Sequence, residues 1–91
     1  MTLKEVLKYE PEMNEKKVSE VARSPSGFLG QYKKYKTFDK MKNKIVPNEN
    51  ITWSEKRNNF LKRHLVQYKK NPTERRRLAI IAWAMELPKI K

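Results

Sequence analysis

Apolar positions along this chain recur at three- and four-residue spacing, each recurrence follows a capping sequence, and no alternating strand pattern occurs; the pattern predicts an all-α domain. Thr2-Leu3-Lys4-Glu5 has the order of a capping box, in which the hydroxyl accepts a backbone N–H and the glutamate reaches back to the cap. It opens a short segment running to Pro11. Asn14 is positioned to cap a second segment, with Val18, Val21 and Ala22 at i, i+3 and i+4. That segment should stop near Arg23, because a proline pushes the chain before it out of the helical region. Ser24-Pro25 then reads as the N-cap and first residue of a third helix, whose apolar stripe is Phe28, Leu29, Tyr32 and Tyr35. Gly27 and Gly30 leave one side of that helix bare, which suits close packing.

Val46 to Asn50, with Pro47, reads as a loop, so that residues 46–52 separate N-terminal helices in 1–45 from a C-terminal pair in 53–88 within one domain, 1–91. Thr52-Trp53-Ser54-Glu55 is a second capping box. Behind it Trp53, Arg57, Phe60, Leu61, His64, Leu65 and Tyr68 follow one side of a helix of about 18 residues. The opposite side carries Lys56, Asn59, Arg63 and Lys70, a row about 21 Å long at about 1.5 Å per residue. Asn71-Pro72-Thr73-Glu74 restarts the chain with a cap, a proline at the first helical position and a glutamate at the third, so the last two helices form either a helical hairpin or a helix-turn-helix-like pair. The final helix is apolar on every side. Leu78, Ile81, Ala82 and Met85 share one face, and Ile80, Trp83, Ala84 and Leu87 the other. Such a helix is either the centre of the bundle or offers Ile80, Trp83 and Leu87 to a partner, which includes a second copy of the chain. The expected architecture is a small bundle of four to five helices.

Charge changes this picture. Of 22 Lys and Arg, only Lys4, Lys8, Lys16, Lys17 and Arg23 lie in residues 1–30, where five glutamates balance them; the whole net charge of +12 belongs to residues 31–91. A self-repelling charge of that size does nothing for folding, but it concentrates phosphates, and nucleic acid is the commonest partner of such a surface. The chain has no cysteine, which excludes disulfides, a thiolate nucleophile and a cysteine zinc site, and its single histidine excludes a histidine metal cluster. The longest apolar run, Leu78 to Met85, is far shorter than the roughly 20 residues that span a bilayer, and the first residues lack a secretory apolar region.

Three basic groups are candidate phosphate contacts. Lys33, Lys34 and Lys36 are interleaved with Tyr32, Tyr35 and Phe38, a mixture suited to neutralisation plus base stacking, unless the tyrosines belong to the core. Lys56, Arg63 and Lys70 form the helical row. Arg75, Arg76 and Arg77 crowd the start of the last helix, where the macrodipole disfavours cations, so they serve either as a phosphate clamp or as partners of Glu12, Glu15 and Glu20. The last helix has little polar surface with which to line a major groove, which favours backbone and shape recognition over base reading. His64 lies on the apolar stripe and reads as a hydrogen-bonded histidine at the edge of the core. No arrangement of nucleophile, base or metal ligands signals an enzyme, and no cofactor is implied.

Arg23-Ser24-Pro25-Ser26-Gly27-Phe28-Leu29, then Trp53, Lys56, Arg57, Phe60, Arg63, His64 and Gln67, then Thr73, Arg75, Arg76, Leu78, Ala79, Ile81, Trp83 and Ala84, form a pattern that resembles small basic proteins of tailed bacteriophages, including those of marine cyanobacteria. The resemblance covers about residues 18–88. It implies a phage-encoded protein of the infected bacterial cytoplasm or the virion, and carries over no catalytic residue. The expected function is nucleic-acid binding, DNA ahead of RNA, mainly through phosphates. The competing expectation is a module that docks an acidic host or phage protein, such as a polymerase subunit or virion component, through Ile80, Trp83 and Leu87.

Overall fold

A computed structural model describes residues 1–87. Its regular elements are six α segments: α1 (Leu3–Leu7), α2 (Glu10–Lys16), α3 (Phe28–Tyr35), the single turn α4 (Phe38–Met41), α5 (Trp53–Lys70) and α6 (Glu74–Ile81). The chain is all-α, and among the described residues the only extended pairing is an isolated antiparallel bridge between Ile45 and Thr52. Among the described residues no helix is long and apolar enough to cross a membrane.

Both capping boxes form. Thr2 Oγ1 accepts from Glu5 N–H at 3.2 Å while the Glu5 carboxylate accepts from Thr2 N–H at 2.9 Å. The Thr52–Glu55 pair repeats the arrangement at the head of α5, which runs for 18 residues. At α6 the cap is Thr73, whose hydroxyl accepts from Arg76 N–H at 3.1 Å. Asn71 instead closes α5 through its own N–H, given to Gln67 O at 3.0 Å, and Pro72 lies between the two helices rather than at the first position of α6.

The expected helix across Val18, Val21 and Ala22 does not form. Helix α2 starts earlier, at Glu10, takes Pro11 into its first turn where no N–H is needed, and holds Asn14 in its interior. Left-handed backbone at Lys17 and Ser19 (φ 54° each) then ends it. Residues 18–27 become an irregular strap that buries Val18 and Ala22 but turns Val21 to solvent, 83% exposed. Its carbonyls find side-chain donors in place of helical ones: Arg23 Nε gives to Val18 O at 2.9 Å and Ser24 Oγ to Val21 O at 2.6 Å.

The strap is also why α3 starts at Phe28, with Gly27 rather than Ser24 as its cap. Leu29 N–H donates to Ala22 O at 2.8 Å, laying the strap backbone directly on the helix. A Cβ on Gly27 would come within 2.6 Å of Ala22 O, and one on Gly30 within 2.7 Å of Pro25 O. The bare side of α3 is therefore occupied by backbone, as close packing requires.

The core lies between α3, α5 and α6, with Phe28, Leu29, Leu61, Leu78, Ile80 and Ile81 buried in it. Helix α6 is the central one. It stops at Ile81, earlier than its apolar run suggests, because residues 82–84 turn back with Ala84 in left-handed backbone (φ 63°). Gly30→Ala should lower stability by about 1–3 kcal/mol, the cost of forcing an extra methyl into a filled site. Urea denaturation checks this, with Ser26→Ala on the exposed strap expected to sit within about 0.5 kcal/mol of the parent.

Candidate nucleic-acid interface and aromatic cleft

The sequence groups Arg75, Arg76 and Arg77 into one clamp, but the fold sends them to three places. Arg75 donates to the carbonyls of Lys16 and Lys17, the unsatisfied end of α2. Arg76 Nη1 donates to Asn71 O at 2.8 Å, at the end of α5. Arg77 is 6% exposed, paired with Glu74 at 3.0 Å and laid over the Tyr9 ring at 5.4 Å. Burial works against the Arg77 charge, but the Tyr9 hydroxyl and the Glu74 carboxylate outweigh it and hold its pKa above the ordinary value. None of the three pairs with Glu12, Glu15 or Glu20 among the described residues. The unfavourable position of Arg75 and Arg76 on α6 is offset by their placement at the negative ends of two other helices.

Arg57, read from sequence only as a member of the apolar stripe, has a comparable role at the end of α6. Its Nε donates to Trp83 O at 2.7 Å and its Nη2 to Ala84 O at 3.0 Å, with the guanidinium 5.3 Å from the Phe38 ring. Burial pulls its pKa below the usual value, while the nearby Tyr32 hydroxyl acts the other way. Nothing in the local sequence marks this job, since the receiving carbonyls lie 26 and 27 residues away.

The remaining candidates separate into tied and free cations. Lys33 pairs with Glu10 at 2.8 Å and Lys56 with Glu49. Lys34 and Lys36 are exposed beside α3, Lys34 lying 5.4 Å from the Tyr35 ring. Tyr32 is buried and gives its hydroxyl proton to Met1 O at 2.8 Å, and Phe38 packs on Phe28, which removes both from any stacking role; Tyr35 remains half-buried. Arg63 and Lys70 are exposed on the outer side of α5, as the helical row requires. Lys62 and Lys69, which sequence reading passed over, are exposed beside them, and their spacing around Val66 was the available signal. Among the six arginines, Arg63 alone has no hydrogen bond or ion pair to a described residue. From Lys56 to Thr73 the chain holds no acidic residue.

The partner face expected at Ile80, Trp83 and Leu87 is absent as such. Ile80 is fully buried and Trp83 6% exposed, because α6 is surrounded by the rest of the chain, and Leu87 packs half-buried on the core. Trp83 instead sits within a ladder of stacked rings: Phe28 to Trp83 at 4.8 Å, Trp83 to Phe60 at 4.4 Å and Phe60 to His64 at 3.7 Å. His64 Nδ1 lies 2.9 Å from Phe60 O. Along the ladder opens a cleft of about 390 Å³, between the strap at Val21 and Ser26, the loop at Asn48 and the first turns of α5. Among the described residues no three His, Cys, Asp or Glu side chains come together to hold a metal.

Comparison with protein-family models gives no match, and no significant match is found among curated proteins or solved structures. The functional reading therefore rests on the arrangement of side chains.

Arg57→Leu should destabilise the fold by about 1.5–3 kcal/mol, the scale for loss of charge-assisted hydrogen bonds to buried carbonyls. Arg63→Leu, with no such bonds to lose, should change stability by less than about 0.5 kcal/mol. Thermal unfolding of the two variants side by side decides whether the first arginine is structural and the second spare.

Proposed function

We propose that the protein binds nucleic acid through the outer side of α5, chiefly by contacts to phosphates. The observation that carries this reading is the set Lys62, Arg63, Lys69 and Lys70, all exposed, none ion-paired to a described residue, on a helix with no acid after Glu55. At about 1.5 Å rise per residue these four span about 12 Å, enough to engage neighbouring phosphates of one strand. Arg63 is central, since its planar fork of donors matches a phosphate and is not used by the fold. Lys34 and Lys36 extend the cationic surface from α3, and the bulk of the +12 charge steers polyanions to it. A phage-encoded protein, the origin its sequence pattern suggests, would meet DNA both in the infected bacterium and in the virion.

The alternative, capture of an acidic protein through a spare face of α6, loses its surface because Ile80 and Trp83 lie inside the core. Lysines 33 and 56 and arginines 75 to 77 also fall back in weight, because each is tied to a protein oxygen.

Polarisation measurements with a labelled oligonucleotide between about 50 and 200 mM salt should show affinity falling steeply. The log–log slope should be about −0.9 per phosphate on duplex DNA. Replacing Lys62, Arg63, Lys69 and Lys70 together by Gln should flatten the slope by about 3 to 4 units with the thermal midpoint little changed. Salt-independent binding, or an unchanged slope in the quadruple variant, would remove this surface from consideration.

A further inference from the structure

We infer that α5 lies in the major groove of duplex DNA and reads base edges with Asn59 and Val66; this rests on the phosphate-binding reading above and names the form of nucleic acid that surface takes. At about 100° per residue, positions seven apart fall within about 20° of one another, so Asn59 and Val66 form one line along α5. That line runs down the middle of the exposed arc, whose margins are Asn58 and Gln67. Lys62 and Lys69 lie to one side of it, and Arg63 and Lys70 to the other, all four exposed. The crest of the helix is thus uncharged and both flanks are cationic. A helix that follows a single strand needs its cations in one row, whereas cations on either side of a neutral crest suit a groove with a phosphate backbone on each wall and bases on its floor. The dimensions agree, since a helix with side chains is about 10–12 Å across and the major groove about 12 Å wide.

The two crest residues are hard to account for within the fold. Asparagine and valine are poorer helix formers than the lysine, arginine and glutamine around them, yet both stand on the outer side of an 18-residue helix. The Asn59 amide bonds to no described residue, and Val66 is left 52% exposed. In a major groove each has a use. A carboxamide accepts from adenine N6 and donates to N7, and a valine methyl packs on the C5 methyl of thymine. Duplex RNA does not fit, because its major groove is too deep and narrow for side chains to read, and a single strand offers no second wall to the opposite flank. Glu55, one turn before Asn59, is engaged by Thr52 at the cap and lies outside the reading segment. In a helix-turn-helix the second helix enters the groove; here α6 is buried and the first helix of the pair carries the reading face.

The intact protein is used to enrich duplexes from a random DNA library, and the enriched duplexes should share a short sequence containing A·T pairs. Asn59→Ala should weaken binding to that sequence by about 5- to 150-fold, the value of one bidentate base contact, with the salt slope unchanged because a base contact releases no counterion. Val66→Ala should weaken it about fourfold, as should uracil in place of thymine, which removes only a major-groove methyl; the second of these two changes should add little to the first. Both variants place a better helix former at an exposed site, so circular dichroism should show them folded. If random duplex binds with steep salt dependence but no common sequence emerges, or the same sequence is enriched by both variants, the groove assignment falls while the phosphate reading survives. Tighter binding to single strands or to duplex RNA of equal length overturns it as well. If no nucleic acid binds, that reading fails and this inference with it.

Discussion

Three helices meet at the Trp83 indole. It lies between Phe28 of α3 and Phe60 of α5, at 4.8 and 4.4 Å, on a turn that ends α6, with the Trp53 ring 6.4 Å away. A ring held this way fixes the separation of its neighbours, since a close-packed interior leaves no slack to absorb a shift. Helix α6 is only eight residues long, too short to be stable by itself, so its helicity depends on this packing. The turn that delivers Trp83 leaves carbonyls without helical donors inside the core, and Arg57 satisfies two of them. Without the guanidinium, Trp83 O would lose its side-chain donor and Ala84 O would keep only the Met1 ammonium, at 3.3 Å, so the cation and the aromatic stack are parts of one device.

The chain divides labour between its two kinds of cation. Arg23, Arg57, Arg75 and Arg76 all donate to backbone carbonyls where helices or the strap end, and Arg77 holds Glu74. A planar guanidinium with donors in a fixed fork is well matched to clustered carbonyl oxygens, whereas an ammonium is a strongly hydrated point charge. The described lysines accordingly stay in water, apart from the pairs of Lys33, Lys42 and Lys56 with carboxylates. Net charge is thus a poor guide to where unpaired cations lie, because much of the arginine content is consumed in finishing a small fold.

What could be read from sequence was local. Thr2–Glu5 and Thr52–Glu55 act within four residues, and α5 begins and ends where its cap and periodicity say it should. The stripe of Phe28, Leu29 and Tyr32 and the need for bare glycines beside it were legible for the same reason. The strap was not: Val18, Val21 and Ala22 keep helical spacing, yet two left-handed residues and side-chain donors to carbonyls override it. Arg75 to Arg77 were misplaced because adjacent arginines on a helix point in different directions, and their carbonyl partners belong to α2 and to the end of α5. The cleft was invisible, being made of residues from the strap, the 46–49 loop and α5 that only tertiary structure brings together.

The residues of α5 are hard to explain by stability alone. A solvated helix gains most simply from opposite charges four residues apart, and α5 makes no such pair on its outer side: Lys62 faces Val66, and Arg63 faces Gln67. Lys69 and Lys70 have a local reason for their sign, since they lie in the last turn where the macrodipole welcomes cations. Lys62 and Arg63 are mid-helix, where no such reason applies. Each adds to the self-repulsion of a chain at +12 and neither returns a contact to the fold. A position that burdens folding without a structural return is best understood through a partner that supplies the missing negative charge, and on this helix the two such positions are adjacent and exposed.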